Sequence, residues 1–188
     1  TEYIKEAEVI RNFKKTNRPS LSERETIIID GITYEADLTS GGAADLPDAL
    51  AGKVETMDYK TLRFPGHYAW VEAQIKKECD SDKPIKALQR MMETHIPHIE
   101  EDQIILYAAV QGKDATKTLQ RREVAKQILP QQVGKYQLRA IQTTTAVPLI
   151  QAAQLLLETD LKGVVLQSEL DTNSFLTGNF IVPVYGEV

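Results

Sequence analysis

The segment Thr61-Leu62-Arg63-Phe64-Pro65-Gly66-His67 concentrates groups able to hold a small acidic molecule. A strand ending at Arg63 and a helix opening at His67 would set a guanidinium and an imidazole on either side of a rigid Pro-Gly bend. The guanidinium is a planar fork of N–H donors that matches a carboxylate bidentately. The imidazole can position substrate or exchange a proton near neutral pH. Strand alternation puts Tyr59, Thr61 and Arg63 on one face and Lys60, Leu62 and Phe64 on the other. An ordinary surface ion pair would use Arg63 equally well. The turn Thr39-Ser40-Gly41-Gly42 is a second candidate, because two glycines let backbone amides converge on an anion with two hydroxyls alongside. A plain hairpin exit has the same composition. Thr143, Thr144 and Thr145 ahead of Pro148 are a third. A helix beginning at Thr144 or Thr145 would aim free amides and its positive dipole end at an anion, although capping needs no ligand.

Other chemistries are less well provided for. His95 and His98 stand three apart with Glu100 and Glu101 nearby, but Pro97 breaks the helix that would align them as metal ligands. No metal site is expected. Cys79 is the only cysteine and lies in the polar run from Lys76 to Lys83 with no histidine beside it. An internal disulfide is therefore impossible, a thiol nucleophile is not expected, and a reducing cytoplasm is the natural compartment. None of the 10 glycines falls in a G-x-G-x-x-G or G-x-x-x-x-G-K pattern, so the backbone cradle for a pyrophosphate is missing. With 27 acidic against 22 basic residues the formal charge is -5, which offers no general field for nucleic acid or anionic lipid. The pairs Lys14-Lys15 and Arg121-Arg122 read as solvated strand or turn residues. No apolar run approaches the roughly 20 residues that cross a bilayer, and no secretory signal pattern opens the chain.

Positioning these groups requires both strands and helices. At 188 residues, 42% of them hydrophobic, the chain can bury a core unaided, and a single domain over 1–188 is expected. Glu6 to Leu21, with a turn offered at Asn12, reads as two short strands or as a strand and an irregular arm. Thr26 to Leu38 reads as a β-hairpin turning at Asp30-Gly31, with Tyr34, Ala36 and Leu38 on one face. Asp45 can cap a short helix ended by Gly52, and Val54 to Phe64 reads as one strand. Helical spacing recurs over His67 to Lys77 and Ile85 to Met92. The apolar run Ile104 to Val110 suggests a central strand, with Thr116 to Gln127 returning antiparallel. Tyr136 to Glu158 reads as a helix kinked by Pro148 or two in series, and the tail from Gly163 is loop-rich. Strands and helices mix without βαβ alternation. The expected fold class is α+β, a mixed, largely antiparallel sheet with helices packed on one face and no Rossmann nucleotide-binding unit, with a mixed α/β domain as the alternative.

Taken together, Thr39-Ser40-Gly41-Gly42, Leu46-Pro47, Gly52-Lys53-Val54 and above all Thr61-Leu62-Arg63-Phe64-Pro65-Gly66-His67 resemble the C-terminal region of saccharopine dehydrogenases. Relatives include lysine 6-dehydrogenase and carboxynorspermidine dehydrogenase. Thr144-Thr145 with Pro148 and Gly163-Val164-Val165-Leu166 are similar to a second signature, so the resemblance runs from about Glu6 to about Leu176. It implies a substrate-binding and dimerisation domain that follows an N-terminal Rossmann domain absent from this chain. NAD or NADP would serve the full-length enzyme, none being expected on this chain alone, and the substrate would be saccharopine or a similar secondary amine oxidised at its C–N bond. It also implies Arg63 as the main carboxylate clamp, with Ser40, Gly41, His67 and Thr144 as further substrate contacts. The chain departs from the pattern at Thr143-Thr144-Thr145-Ala146-Val147-Pro148, where relatives often carry an arginine and a glycine. An open sheet edge makes a homodimer the expected assembly. A non-enzymatic dimerising or amino-acid-sensing domain is the alternative reading.

Overall fold

A computed structural model describes residues 2–77 and 83–187, which form two compact units, Thr1–His98 and Ile99–Val188. Cys79 falls outside the described residues, and with it the expectation about its thiol.

In the first unit, β1 (Ala7–Arg11) and β2 (Lys14–Arg18) pair antiparallel around Asn12, which selects two short strands over a strand and an irregular arm. Further on, β3 (Glu25–Ile29) and β4 (Ile32–Leu38) form the hairpin expected around Asp30-Gly31. Ile29 faces Ile32 across a two-residue loop in which Asp30 has φ 51° and Gly31 φ 78°. Two positive φ values are what a type I′ turn needs to match the strand twist. Gly31→Ala is expected to cost about 1 kcal/mol, since a Cβ is disfavoured in that region; urea unfolding reads the loss. As expected, Tyr34, Ala36 and Leu38 share a buried face, at 4%, 0% and 0% exposure.

After α1 (Leu46–Leu50), the stretch expected as one strand divides into β5 (Thr56–Met57) and β6 (Lys60–Arg63). These serve different antiparallel sheets, β2–β1–β5 and β3–β4–β6. Asp58, at the break, is held by Arg11 of β1 at 2.6 Å, which draws the chain across. Helices α2 (His67–Lys77) and α3 (Pro84–His95) complete the unit. Tyr3, Tyr68, Val71 and Leu88 form its main buried cluster, flanked by Trp70, Ile75 and Met92. Each fully buried apolar side chain contributes about 1.5–3 kcal/mol relative to exposure, so this patch is what seats both helices.

The second unit contains β7 (Ile104–Lys113) and β8 (Leu119–Ile128), followed by β9 (Gln131–Val133) and β10 (Tyr136–Leu138). Helix α4 (Ala140–Glu158) comes next, then a 3-10 turn at Gln167–Glu169 and the short helices α5 (Thr172–Leu176) and α6 (Val182–Tyr185). The return of β8 onto β7 follows the expectation. The central position expected for the apolar run does not: among the described residues β7 pairs with β8 alone, and from Ala108 onward it is exposed. An apolar run reports that a strand is uncharged, not how many neighbours it has. All six pairings of strands among the described residues are antiparallel, so the fold is α+β with no parallel Rossmann-like sheet. No described helix is long and apolar enough to cross a membrane.

Pro148 sits inside α4 without dividing it. Proline has no N–H, so the carbonyl four residues earlier, that of Thr144, loses its helical partner. The Tyr185 hydroxyl donates to that carbonyl at 2.8 Å. The tail thereby repairs the helix. Tyr185→Phe is expected to lower stability by about 1–3 kcal/mol by leaving the carbonyl without that bond, a change measurable by thermal or denaturant unfolding.

Candidate functional site

The positions of Arg63 and His67 follow from β6 and α2. Register sets Arg63 of the edge strand β6 opposite Glu35 in the middle of β4, and Phe64 stacks on Tyr34 with ring centroids 5.4 Å apart. That contact turns the chain through Pro65 and Gly66, whose φ of 92° a side chain would resist. The Gly66 N–H reaches the Glu35 carboxylate at 3.3 Å, and α2 opens at His67. Behind the bend, the buried Tyr68 hydroxyl donates to the Thr61 carbonyl, and the Thr39 and Thr61 hydroxyls bond at 2.6 Å. Alternation along β6 therefore sends Thr61 and Arg63 to one face, as the sequence implies.

Two residues that sequence reasoning passed over join these parts. The Tyr3 hydroxyl accepts from Arg63 Nε at 3.0 Å and lies 3.2 Å from His67 Nε2. Glu2 takes Arg63 NH2 at 3.4 Å on its carboxylate and the Ser40 N–H at 3.0 Å on its carbonyl. The N-terminal segment thus ties the Ser40-Gly41 turn to the Arg63–His67 bend. Nothing local marks Glu2 or Tyr3, because these partners lie 38 to 64 positions away in sequence. A tyrosine among charged residues is the only trace they leave.

The Arg63 guanidinium keeps about a third of its surface exposed (35%). Its NH1 also donates to the Leu62 carbonyl at 3.1 Å. Two of these bonds go to neutral oxygens and the third is long, so N–H donors remain for a bound anion. Burial acts against its charge, but the Tyr3 oxygen and the Glu2 carboxylate outweigh it, and the group sits above the ordinary arginine range. It stays cationic. His67 is shifted the other way: burial first, and then the Arg63 charge, lower its pKa from 6.5, against weaker opposing pulls from Glu2 and Glu35. A neutral imidazole at pH 7 can accept from Tyr3 or from a substrate. Because the unfolded chain binds this proton more readily, stability is fully present above about pH 6.5 and declines as pH falls towards the folded-state pKa. His67→Gln is expected to flatten that part of the stability profile, measured by denaturant unfolding across pH 4 to 7.

Gly41, with φ 90°, and Ser40 line an open cavity of about 520 Å³ that Glu2, Lys5, Glu6 and Glu8 also border. Its rim is acidic, although the turn was expected to meet an anion. Beside it the Tyr59 ring occupies the space that a Cβ on Gly42 would need, so this glycine serves a close approach.

Thr144 belongs to the second unit, in the second turn of α4 rather than at its start. The helix begins at Ala140, and its first amides are taken by Asp102, at 2.6 Å from Ala140 and 2.9 Å from Ile141. The hydroxyls of Thr143, Thr144 and Thr145 turn back to carbonyls of Ala140 and Ile141. A carboxylate of the same chain stands where the anion was expected. At the end of α3, His95 Nδ1 lies 2.8 Å from the Met91 carbonyl. Among the described residues no three His, Cys, Asp or Glu side chains gather as a metal ion requires. Without a parallel strand pair there is also no glycine-rich β-to-α turn among them to fit the pyrophosphate of a nicotinamide dinucleotide.

The site therefore combines a fixed, partly exposed guanidinium, a neutral imidazole and an acidic cavity, all carried by the first unit. The sequence matches the family model for the saccharopine dehydrogenase C-terminal domain over residues 1–180, and the chain belongs to that family.

Proposed function

We propose that this chain is the substrate-holding part of a nicotinamide-dependent amino-acid oxidoreductase. The dinucleotide is supplied by polypeptide beyond these residues, and the C–N bond oxidised is that of saccharopine or a similar secondary amine. The observation that carries the reading is the mixed-charge arrangement around Glu2 and Tyr3. Arg63 is held cationic with donors to spare, and an acidic cavity opens on the other side of the same segment. A molecule bearing both carboxylates and an amine satisfies both. Arg63 binds a carboxylate, Ser40 and Gly41 border the cavity that takes the amine end, and His67 orients through its Tyr3 bond. Hydride transfer demands close alignment of donor and acceptor, so the contribution of these residues is to hold the substrate still.

The chain acts as a homodimer in a reducing cytoplasm. The roles of Arg63, Ser40, Gly41 and His67 are read from geometry and the family pattern together, and that of Thr144 from the pattern alone. The test is to express the chain within its longer reading frame and follow nicotinamide reduction with saccharopine, lysine and carboxynorspermidine. Turnover with one of them, lost when the acidic cavity is neutralised by Glu6→Gln and Glu8→Gln together, supports the reading. No turnover with any, and no calorimetric binding, would leave the dimerising or sensing alternative.

A further inference from the structure

We infer that Tyr3 is a positioning residue that locks His67 in the tautomer protonated at Nδ1, so that the imidazole meets a ligand as a hydrogen-bond donor and not as a base. What that donor meets rests on the substrate reading above; the tautomer is a property of the protein without ligand.

One buried oxygen decides the tautomer. Tyr3 is 4% exposed, and its hydroxyl lies 3.0 Å from Arg63 Nε and 3.2 Å from His67 Nε2. A guanidinium has donors and no acceptor, so the phenol oxygen accepts from Nε. Burial raises the Tyr3 pKa, and the phenol keeps its own proton at neutral pH. That proton is donated to Nε2, which must therefore present a bare lone pair. A neutral imidazole carries a single N–H, and it is then on Nδ1.

The competing arrangement turns the hydroxyl to the Glu2 carboxylate and lets an Nε2–H donate to the phenol oxygen. Glu2 is near enough to act on Tyr3. Its side chain is 42% exposed, however, and faces Arg63. Leaving it with the guanidinium and solvent satisfies the carboxylate and gives the hydroxyl the acceptor it already touches. An imidazolium is disfavoured as well, because burial and the Arg63 charge outweigh Glu2 and Glu35, the acidic groups that act on the ring. Tyr68 holds the geometry: Tyr3 and His67 both meet its buried ring edge-on, with centroids 6.1 and 5.7 Å away. Neither ring can turn without losing that contact.

Nδ1 has no hydrogen-bond partner among the described residues. A part-buried N–H in that position calls for an acceptor from outside the chain. With Nε2 engaged and Nδ1 already protonated, His67 cannot take the proton of a substrate amine. It offers instead a second N–H, near the Arg63 fork, to a carboxylate or carbonyl oxygen.

The experiment is nuclear magnetic resonance on the 188-residue chain carrying 15N-labelled histidine, whose three imidazoles are assigned with His67→Gln. At about pH 8, above the ordinary histidine range, long-range proton–nitrogen correlation tells a protonated ring nitrogen from a bare one. Free histidine favours Nε2–H. The expected result for His67, Nδ1 protonated and Nε2 bare, is the reverse. Tyr3→Phe keeps the ring against Tyr68 and removes only the hydroxyl. It should return His67 to an Nε2–H majority and raise its pKa, because the neutral form loses the bond that favours it. Glu2→Gln should leave the tautomer as it is. Nε2 found protonated in the unaltered chain overturns the inference, whether or not Tyr3→Phe folds. So does a tautomer that Tyr3→Phe does not move. Saccharopine addresses the ligand separately: a displaced Nδ1–H signal supports the donor role, whereas a locked tautomer that saccharopine leaves untouched supports the Tyr3 lock and counts against the substrate reading.

Discussion

Replacing Arg63 by alanine is expected to weaken binding of a carboxylate-bearing substrate by roughly 10- to 100-fold, the effect of losing one charge-assisted, partly buried hydrogen-bonded contact. The guanidinium is anchored through Nε to Tyr3 and through NH1 to the Leu62 carbonyl, so its remaining donors are presented in a fixed orientation. Arg63→Lys keeps the charge but loses the planar fork, and should recover only a small part of the affinity. If the contact is equally strong in ground and transition states, KM rises while kcat holds; a fall in kcat would place it closer to the reacting atoms. Steady-state kinetics in the longer reading frame read the difference, with an unfolding curve as control because Arg63 also ties down Tyr3 and Glu2. Unaltered kinetics for Arg63→Ala would remove this residue from the mechanism.

Asp37→Ala is expected to cost about 3 kcal/mol of stability, more than any other single change to the first unit considered above. The carboxylate is fully buried on β4. Its Oδ1 accepts from the Glu23 N–H at 3.0 Å and the Leu38 N–H at 2.8 Å, and its Oδ2 from Arg24 Nε at 3.0 Å. Removing one partner of a buried ion pair typically costs about 3–5 kcal/mol, and the low end applies because Arg24 is part exposed and also held by Glu72. Asp37→Asn keeps an acceptor for the two amides and should cost about half as much. Denaturant unfolding checks both. The consequence reaches the site, because Arg24 lies over the Tyr68 ring at 5.0 Å and Tyr68 braces β6 through the Thr61 carbonyl. A loss below about 1 kcal/mol for Asp37→Ala would show that the amides find other partners.

Where local chemistry decides the outcome, the structure follows the sequence. Asp30-Gly31 makes a two-residue turn because only such residues tolerate two positive φ values. The Pro-Gly bend after Arg63 ends a strand and opens a helix, which puts the guanidinium and imidazole at one corner. Where the outcome depends on partners, the reading runs out. Val54 to Phe64 looked like one strand, because nothing local announces that Arg11 will pull Asp58 into another sheet. Thr144 looked like a helix start, because the acidic group that caps α4 comes from Asp102, before β7 begins.

The sequence by itself determined the α+β class, the hairpin at Asp30-Gly31, the corner that carries Arg63 and His67, and the family. Each rests on periodicity, turn conformation or a contiguous motif, all of them short-range properties of the chain. Only the tertiary structure decided that Glu2 and Tyr3 join Ser40 to Arg63, that the cavity beside Gly41 is acidic, and that Tyr185 completes the helix interrupted by Pro148. The hydrogen bonds that make these joins link residues 38 to 61 positions apart, and such pairings emerge from packing the whole unit, where burial and unsatisfied hydrogen-bonding groups select the partner.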